Sequence, residues 1–437
     1  MIFKQIIIHT CFVFAISFVA KGQDTLTYDA CVKIALENNY GILIAKNDQK
    51  IASNNATLGN VNLLPKLAVN GGVKGGITDV NQQFITEDEK TRIRGARATS
   101  ENASLELSYN IYQGNTRVNN LKNLRIQSHL GELESKNKVE EMMVLVGQKY
   151  YQVAGVQANV DLIEDVLEVS QERFRRIEYK YQYGDALKID VLNAEVNLNS
   201  DSVTYMTIKR NLSQSKKDLM VLLGQEPRVN FQVSTKVDFI SLLERASLKS
   251  DLVKNNTLLQ LEDGKITQSQ YNLAVAKGGR MPTISSNFSY GWQASQSESG
   301  ILTSNSSRGL NAGLNLTFDL FDGNKKNIKI QNSILQLDNS EKRKLDKELA
   351  LVRDLENAWS EYTFQMNVLR LQKRNIRTNK LNFERSEEMY SFGQLTSTQF
   401  REAQINYLTA RFDFIVSNAT AKIEEIRLLR LSGRLVE

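Results

Sequence analysis

Hydrophobic side chains recur every seven residues along a long, otherwise polar segment in the first half of the chain. A repeat of this kind, sustained over many turns, is typical of helices that pack as left-handed coiled coils. It predicts one helix from about Thr116 to Gln182, which would be ~100 Å long at ~1.5 Å per residue. The first stripe consists of Val139, Val146, Val153, Val160, Leu167, Phe174 and Tyr181, and a second stripe contains Met142, Val156, Ile163 and Ile177.

Strict alternation of apolar and polar residues, the pattern of a strand, occurs in four other segments. Residues 105–112 (LELSYNIY) and 314–320 (LNLTFDL) alternate throughout, and two further segments alternate after Pro65 and Pro282. Alternating segments of ~10 residues with aromatic side chains near their ends fit strands that face lipid on one side and water on the other. A soluble sheet with two different faces is the alternative that alternation leaves open.

The two halves of the chain repeat the same order of elements. Residues 105–115 (LELSYNIYQGN) match residues 314–324 (LNLTFDLFDGN) at an offset of 209, and Gly184 and Gly393 keep that offset. Each copy is predicted to run helix, strand, loop, strand, long helix, tight turn, helix. The shorter helices are predicted at Tyr28–Asn62, Ala186–Leu223, Ser241–Lys277 and Leu395–Ser432.

The amino-terminal segment has the features of a secretory signal peptide. Residues 1–22 contain Lys4, an apolar run from Ile6 to Ala20 and small residues before the predicted cleavage site. No later stretch approaches the ~20 apolar residues that a membrane helix needs. We therefore predict an exported protein without a helical anchor, built from a first repeat at 23–230 and a second at 231–437.

Composition argues against several classes of function. Without the signal peptide, Cys31 is the only cysteine and His129 the only histidine. One cysteine allows no intrachain disulfide, and one histidine argues against a histidine-rich metal site or a Ser-His-Asp triad. No phosphate-binding loop is present, so we predict no enzyme, no cofactor and no metal. The net charge is +6, but acidic and basic residues are interspersed, so we predict no nucleic-acid partner.

Four strands of one chain cannot close a membrane barrel. Closed barrels in membranes need about eight strands or more, and open sheet edges are not tolerated in lipid. If the alternating segments are membrane strands, several chains must share one barrel. The predicted fold class is therefore mainly α with membrane β, with an internal duplication.

The two predicted turns carry the most specific motif of the sequence. YQYGDALKIDVLNAE, from Tyr181, resembles the turn Y-x-x-G-x-x-x-x-x-D-V-L-x-A-E of the TolC family of outer-membrane efflux ducts. FGQLTSTQFREAQ, from Phe392, resembles the second-copy variant, and the strands after Pro65 and Pro282 also match. The resemblance covers essentially the whole mature chain. It implies a homotrimer whose twelve strands, four per chain, form one outer-membrane barrel continued across the periplasm by a coiled-coil α-helical barrel.

The resemblance also implies a function. A member of this family is a passive exit duct in the outer membrane, surrounded by outer-membrane lipid and extending into the periplasm. It works with a periplasmic adaptor (membrane fusion) protein and an inner-membrane pump in a tripartite system that exports drugs, metals or proteins. The alternative is a secreted coiled-coil scaffold or adaptor of the cell envelope that forms no pore.

The residues of the two turns take on roles through the resemblance. It implies a bond between Tyr390 and Asp190 that holds the periplasmic end closed. The family has an arginine where this chain has Leu395, which would face Ile189, so an apolar contact would replace a polar one. Gln399 and Glu402 would ring the constriction. The turns and adaptor contacts would be Gly184, Asp185, Ala186 and Leu187 in the first copy and Gly393, Gln394, Thr396 and Ser397 in the second.

Overall fold

The computed structural model describes residues 25–83, 91–240, 243–300 and 302–436, so the predicted signal peptide lies outside the described residues. Long helices dominate these ranges. The helices are α1 (Tyr28–Asn38), α2 (Tyr40–Asn55), α3 (Thr116–Gln182), α4 (Lys188–Leu222), α5 (Arg245–Asn255), α6 (Thr257–Gly278), α7 (Lys325–Ser391) and α8 (Ser397–Ser432). The strands are β1 (Thr25–Leu26), β2 (Lys66–Gln82), β3 (Thr91–Gln113), β4 (Gln232–Val233), β5 (Thr283–Ser297) and β6 (Ser304–Thr317).

The bounds of the long helix α3 agree with those predicted from the seven-residue repeat. Helix α3 begins at Thr116 and ends at Gln182, as predicted, and α7 of the second copy also has 67 residues. Val146 and Val153 of the predicted stripe are completely buried. Helix α3 therefore packs through the apolar positions that define the repeat.

The predicted short helices at Tyr28–Asn62 and Ser241–Lys277 were wrong as single helices, because each is a pair. The first prediction was also too long, because α2 ends at Asn55. Helices α1 and α2 replace the first, and α5 and α6 replace the second, whose predicted start at residues 241–242 lies outside the described ranges. The other two short helices, α4 and α8, begin within two residues of their predicted starts.

An asparagine interrupts the helix at each of these breaks. Asn39 and Asn256 have extended backbone, with ψ of 122° and 121°. The Asn39 amide group donates to the carbonyl of Leu222 at 2.7 Å, and the Asn256 amide group donates to the carbonyl of Leu431 at 2.9 Å. In both copies, therefore, a side-chain hydrogen bond to the end of a distant helix replaces the backbone bonds of an uninterrupted helix.

The four longer strands form one antiparallel sheet in the order β2-β3-β5-β6. They have between 14 and 23 residues, longer than predicted, because they continue into segments rich in Gly, Ser, Thr and Asn. At its other end, β6 stops at Thr317, so residues 318–320 of the alternating segment were wrongly predicted as strand. Across the sheet, Val69 pairs with Leu105, which pairs with Tyr290, which pairs with Leu310. This row of exposed apolar side chains lies on one face, as the alternation predicts.

The described chain divides into two compact units, each of which contains residues from both copies. The first includes 145–239 and 365–423, and within it Leu162, Ile163 and Val166 of α3 pack with Leu408 of α8. The second unit contains the four-stranded sheet. There Leu130 and Leu133 of α3 pack with Leu261 of α6. The repeats at 23–230 and 231–437 stay a prediction about the sequence.

Among the described residues, no helix has the length and apolar character needed to cross a membrane.

Candidate gate at the two helix turns

The two predicted turns have the same backbone. After α3, the amide of Asp185 donates to the carbonyl of Lys180 at 2.8 Å; after α7, that of Gln394 donates to the carbonyl of Met389 at 2.9 Å. The intervening glycines, Gly184 and Gly393, have φ of +80° and +72°. A side chain at either position would meet no neighbour within 4 Å, so glycine is required by backbone conformation and not by space.

Two of the predicted gate residues cap their own helices. The Asp190 carboxylate accepts a hydrogen bond from the amide of Leu187 at 3.2 Å, at the start of α4. The Gln399 side chain accepts one from the amide of Thr396 at 3.1 Å, at the start of α8. These bonds satisfy amides that a helix leaves without backbone partners. Asp190 additionally places a negative charge at the positive end of its helix, whereas Gln399 does not.

Tyr390, predicted to bond Asp190, lies in an aromatic cluster of α7 and α8. Its ring stacks on Phe400 with centroids 5.0 Å apart, and Phe400 lies 5.6 Å from Phe383. The guanidinium of Arg173, from α3, lies 5.3 Å above the Tyr390 ring. In the single chain described here, no hydrogen bond joins Tyr390 to Asp190, so that bond stays a prediction.

A buried polar network near the turns was not identified from the sequence. The Arg401 guanidinium of α8 donates to the Asp201 carboxylate of α4 at 2.7 Å. Ser170 of α3 donates to the same carboxylate at 2.6 Å. Asp201 is only 4% exposed, so this ion pair joins the first helix pair, α3 and α4, to α8 of the second through an almost fully buried carboxylate. Because the partners are 200 residues apart, no spacing in the sequence could have paired them.

Comparison with known proteins decides the family. A model for outer membrane efflux proteins matches residues 31–225 and 248–434. The chain belongs to the outer membrane efflux protein family. The two matched segments fit the internal duplication. This protein is therefore an outer-membrane exit duct that extends into the periplasm, and its family is one of channels and not of enzymes.

Solved structures of bacterial membrane proteins resemble the efflux protein in fold despite low identity. The CmeC outer membrane channel of Campylobacter jejuni is 18% identical with a TM-score of 0.77, covering 94% of this chain and 86% of that one. A membrane protein from Pseudomonas aeruginosa is 17% identical with a TM-score of 0.76, covering 94% and 91%. VceC of Vibrio cholerae is 13% identical with a TM-score of 0.72, covering 93% and 96%.

The remaining predicted site residues of the efflux protein lie at its surface. Glu402 is exposed on α8, Ile189 is exposed and Leu395 is half-buried, so the predicted Ile189–Leu395 contact and the Glu402 ring stay predictions. Apolar side chains at the turns are unusually exposed, with Tyr183 at 82% and Phe392 at 72%. Of the predicted turn and adaptor residues, Ala186 and Ser397 are half-buried; the exposed ones are Gly184, Asp185, Leu187, Gly393, Gln394 and Thr396.

Proposed function

We propose that three copies of the chain form one passive outer-membrane duct that receives its cargo from a periplasmic adaptor and an inner-membrane pump. The cargo would be small molecules, such as drugs or metals, or proteins. No selective pocket is needed for this function, because the pump chooses what enters.

The two free sheet edges are the observation that carries the proposal. Within the four-stranded sheet of the described residues, β2 and β6 each pair along one side only. Neighbouring strands alternate in direction, so β6 of one copy would run antiparallel to β2 of the next. Adding copies therefore continues the same pairing, and three copies supply twelve strands, above the minimum of about eight for a membrane barrel.

The two faces of the sheet support the same assembly. One face carries the apolar row that includes Val69 and Leu310, both largely exposed in the single chain. The alternate positions carry many polar residues, as in the paired row of Asn102, Gln293 and Ser307. A closed sheet would turn the apolar face to lipid and the polar face to a water-filled lumen.

An exposed apolar stripe on α4 supports a helical partner from a second copy. Its residues are spaced three, four, seven and three apart, as contact positions of a seven-residue repeat are in a coiled coil. All of them are exposed in the single chain, although such stripes are normally covered by another helix. The stripe consists of Ile189, Leu192, Val196, Val203 and Met206.

Single-channel recording with the purified protein tests the duct directly. We expect a trimer by native mass spectrometry and conducting events in planar bilayers. A folded protein that extracts without detergent, stays monomeric and never conducts would overturn the proposal and favour the pore-free scaffold.

The gate assignments of Asp190, Tyr390, Gln399, Glu402, Ile189 and Leu395 belong to the same proposal. Threefold symmetry would make Glu402 a ring of three carboxylates, which favours cations in a narrow pore. Glu402→Gln is therefore expected to reduce the preference for potassium over chloride, measured as a shift in reversal potential. Glu195→Gln, an exposed residue of α4, serves as the control for the loss of one charge. An unchanged reversal potential in Glu402→Gln would remove Glu402 from the gate.

A further inference from the structure

Arg173 is a buried arginine whose charge has no acidic partner. Its residue is only 8% exposed, and its guanidinium lies over the rings of Tyr390 and Phe400 at 5.3 and 5.2 Å. One terminal nitrogen donates to the carbonyl of Ser397 at 2.9 Å. Within the described ranges, no carboxylate oxygen comes within salt-bridge distance of Arg173, and its Nε atom has no hydrogen-bond partner.

The nearby Arg401, which is half-buried, is a structural arginine of α8. Its guanidinium is paired with the buried Asp201 carboxylate. A buried charge is costly unless it is paired and hydrogen-bonded. Arg173 is buried more deeply than Arg401 but keeps unused donor capacity, which is the property of a group that binds an anion.

A small pocket opens at this arginine. It has a volume of about 100 Å³ and is lined by Arg173 and Arg176 of α3 together with Tyr390 and Ser391 of α7. We call it the Arg173 pocket. A carboxylate fits such a volume, and the planar guanidinium fork matches a carboxylate in geometry.

Two acidic residues restrict which anion can enter. Glu172 and Glu387 also line the Arg173 pocket, and both are exposed. Their negative charges oppose a dianion such as phosphate more strongly than a single carboxylate. The charge balance of the Arg173 pocket therefore favours one monovalent carboxylate.

We propose that the Arg173 pocket binds one aspartate or glutamate side chain of the periplasmic adaptor. This inference rests on the proposed function, in which the adaptor docks at the two turns. Ser391 of the pocket is directly followed by Phe392, which is exposed and available for an apolar contact with the same partner. The adaptor would thus place an acidic side chain in the Arg173 pocket and apolar side chains on the adjacent turn.

Binding of the purified adaptor from the same organism, measured by biolayer interferometry on the full-length protein, tests the inference. Arg173→Gln is expected to raise the dissociation constant at least tenfold. Arg175→Gln, an exposed arginine of the same helix, is the matched control and should stay within twofold of wild type.

Two further measurements test whether the group that enters the Arg173 pocket is a carboxylate of the adaptor. Acetate should weaken adaptor binding relative to chloride at equal ionic strength in wild type, but not in Arg173→Gln. If Glu387 were instead the natural partner of Arg173, Glu387→Gln would weaken binding as Arg173→Gln does. The proposal expects Glu387→Gln to bind as well as wild type or more tightly, because a competing negative charge is removed.

The outcomes also distinguish this inference from the proposed function. Wild-type binding of the adaptor together with unchanged binding by Arg173→Gln would overturn the carboxylate pocket alone. Equal adaptor binding by the wild type in acetate and in chloride would show that no carboxylate enters the Arg173 pocket, and would overturn the inference too. Failure of the wild-type protein to bind the adaptor at all would overturn both.

Discussion

The turn after α3 and the turn after α7 have the same backbone but differ in the side chains that connect them to the rest of the molecule. Both use a glycine with positive φ and the same pair of backbone hydrogen bonds. In contrast, Asp201 and Arg401 have no charged counterparts at the offset of 209. The position that matches Asp201 is Ala410 in the second copy, and the position that matches Arg401 is Leu192 in the first.

This difference shows which constraints a duplication keeps. Every helix pair must reverse its chain, so each copy needs the glycine and the cap. An ion pair between the copies needs an acid on one and a base on the other, so the two copies must diverge there. The single-copy residues Arg173, Asp201 and Arg401 are therefore where the two helix pairs are joined.

Removing the single-copy ion pair should have the largest effect. Asp201→Ala leaves Arg401 buried without its carboxylate, and we expect the free energy of unfolding to fall by about 3–5 kcal/mol. Denaturant unfolding of the detergent-solubilised protein, followed by circular dichroism, measures it. The control is Asp218→Ala, an exposed carboxylate 3.4 Å from Lys149, expected to cost less than ~1 kcal/mol. Equal losses in the two variants would contradict a special role for Asp201.

Replacement of either turn glycine by alanine should lower the stability of the protein by the same amount. Gly184→Ala and Gly393→Ala each force a side chain into the left-handed region, at a cost of about 1–2 kcal/mol. Neither glycine has a neighbour within 4 Å of an added side chain, so the two losses should agree closely. Gly59→Ala, where the space is also open but φ is not positive, should cost nothing in the same thermal melts. A large difference between the two turn variants would show that their environments are not equivalent.

Tyr390→Phe tests the predicted gate bond and keeps the aromatic stacking. A hydrogen bond contributes about 0.5–1.5 kcal/mol net, so loss of a Tyr390–Asp190 bond in the trimer should raise the open-to-closed ratio about two- to tenfold. The open-to-closed ratio is measured as the single-channel open probability and, in cells, as leakage of antibiotics. Tyr407→Phe alters another ring of the same cluster, stacked on Phe383, and should leave both unchanged. If Tyr390→Phe left the open probability and the antibiotic leakage unchanged, the Tyr390–Asp190 bond would not hold the gate closed.

A smaller asymmetry lies in the long helices. Glu140 of α3 is buried and accepts a hydrogen bond from Thr257 at 2.6 Å, whereas the matching residue of α7 is the exposed Leu349. Burial raises the pKa of Glu140 above its usual 4.5, and the Thr257 bond opposes this only partly. The protonated carboxyl therefore contributes stability below pH 4.5 that is lost as pH rises through the folded-state pKa.

Glu140→Gln should consequently stabilise the protein at pH 7, with a gain that disappears on acidification. Thermal melts between pH 4 and pH 8 measure the difference, and Glu134→Gln, an exposed residue of the same helix, is the control. A stabilisation that does not depend on pH would argue against ionisation of Glu140 as its cause.

Local patterns in the sequence determined much of this fold. The bounds of α3 follow directly from the seven-residue repeat, because burial of one helical stripe depends on spacing alone. The turn glycines and the alternating strands could likewise be predicted from residues that are close together in the sequence. The strands were predicted too short because their Gly-, Ser- and Asn-rich extensions carry no apolar alternation, yet they still pair in the sheet.

Only the tertiary structure decided which distant residues meet. The helix breaks at Asn39 and Asn256 depend on the carbonyls of Leu222 and Leu431, which no local pattern reveals. Likewise, nothing in the sequence separates Arg173 from the many other charged residues of α3. Only the structure shows that it is buried near the second turn without an acidic partner. Long-range hydrogen bonds and burial arise from packing, and packing brings together residues about 200 positions apart.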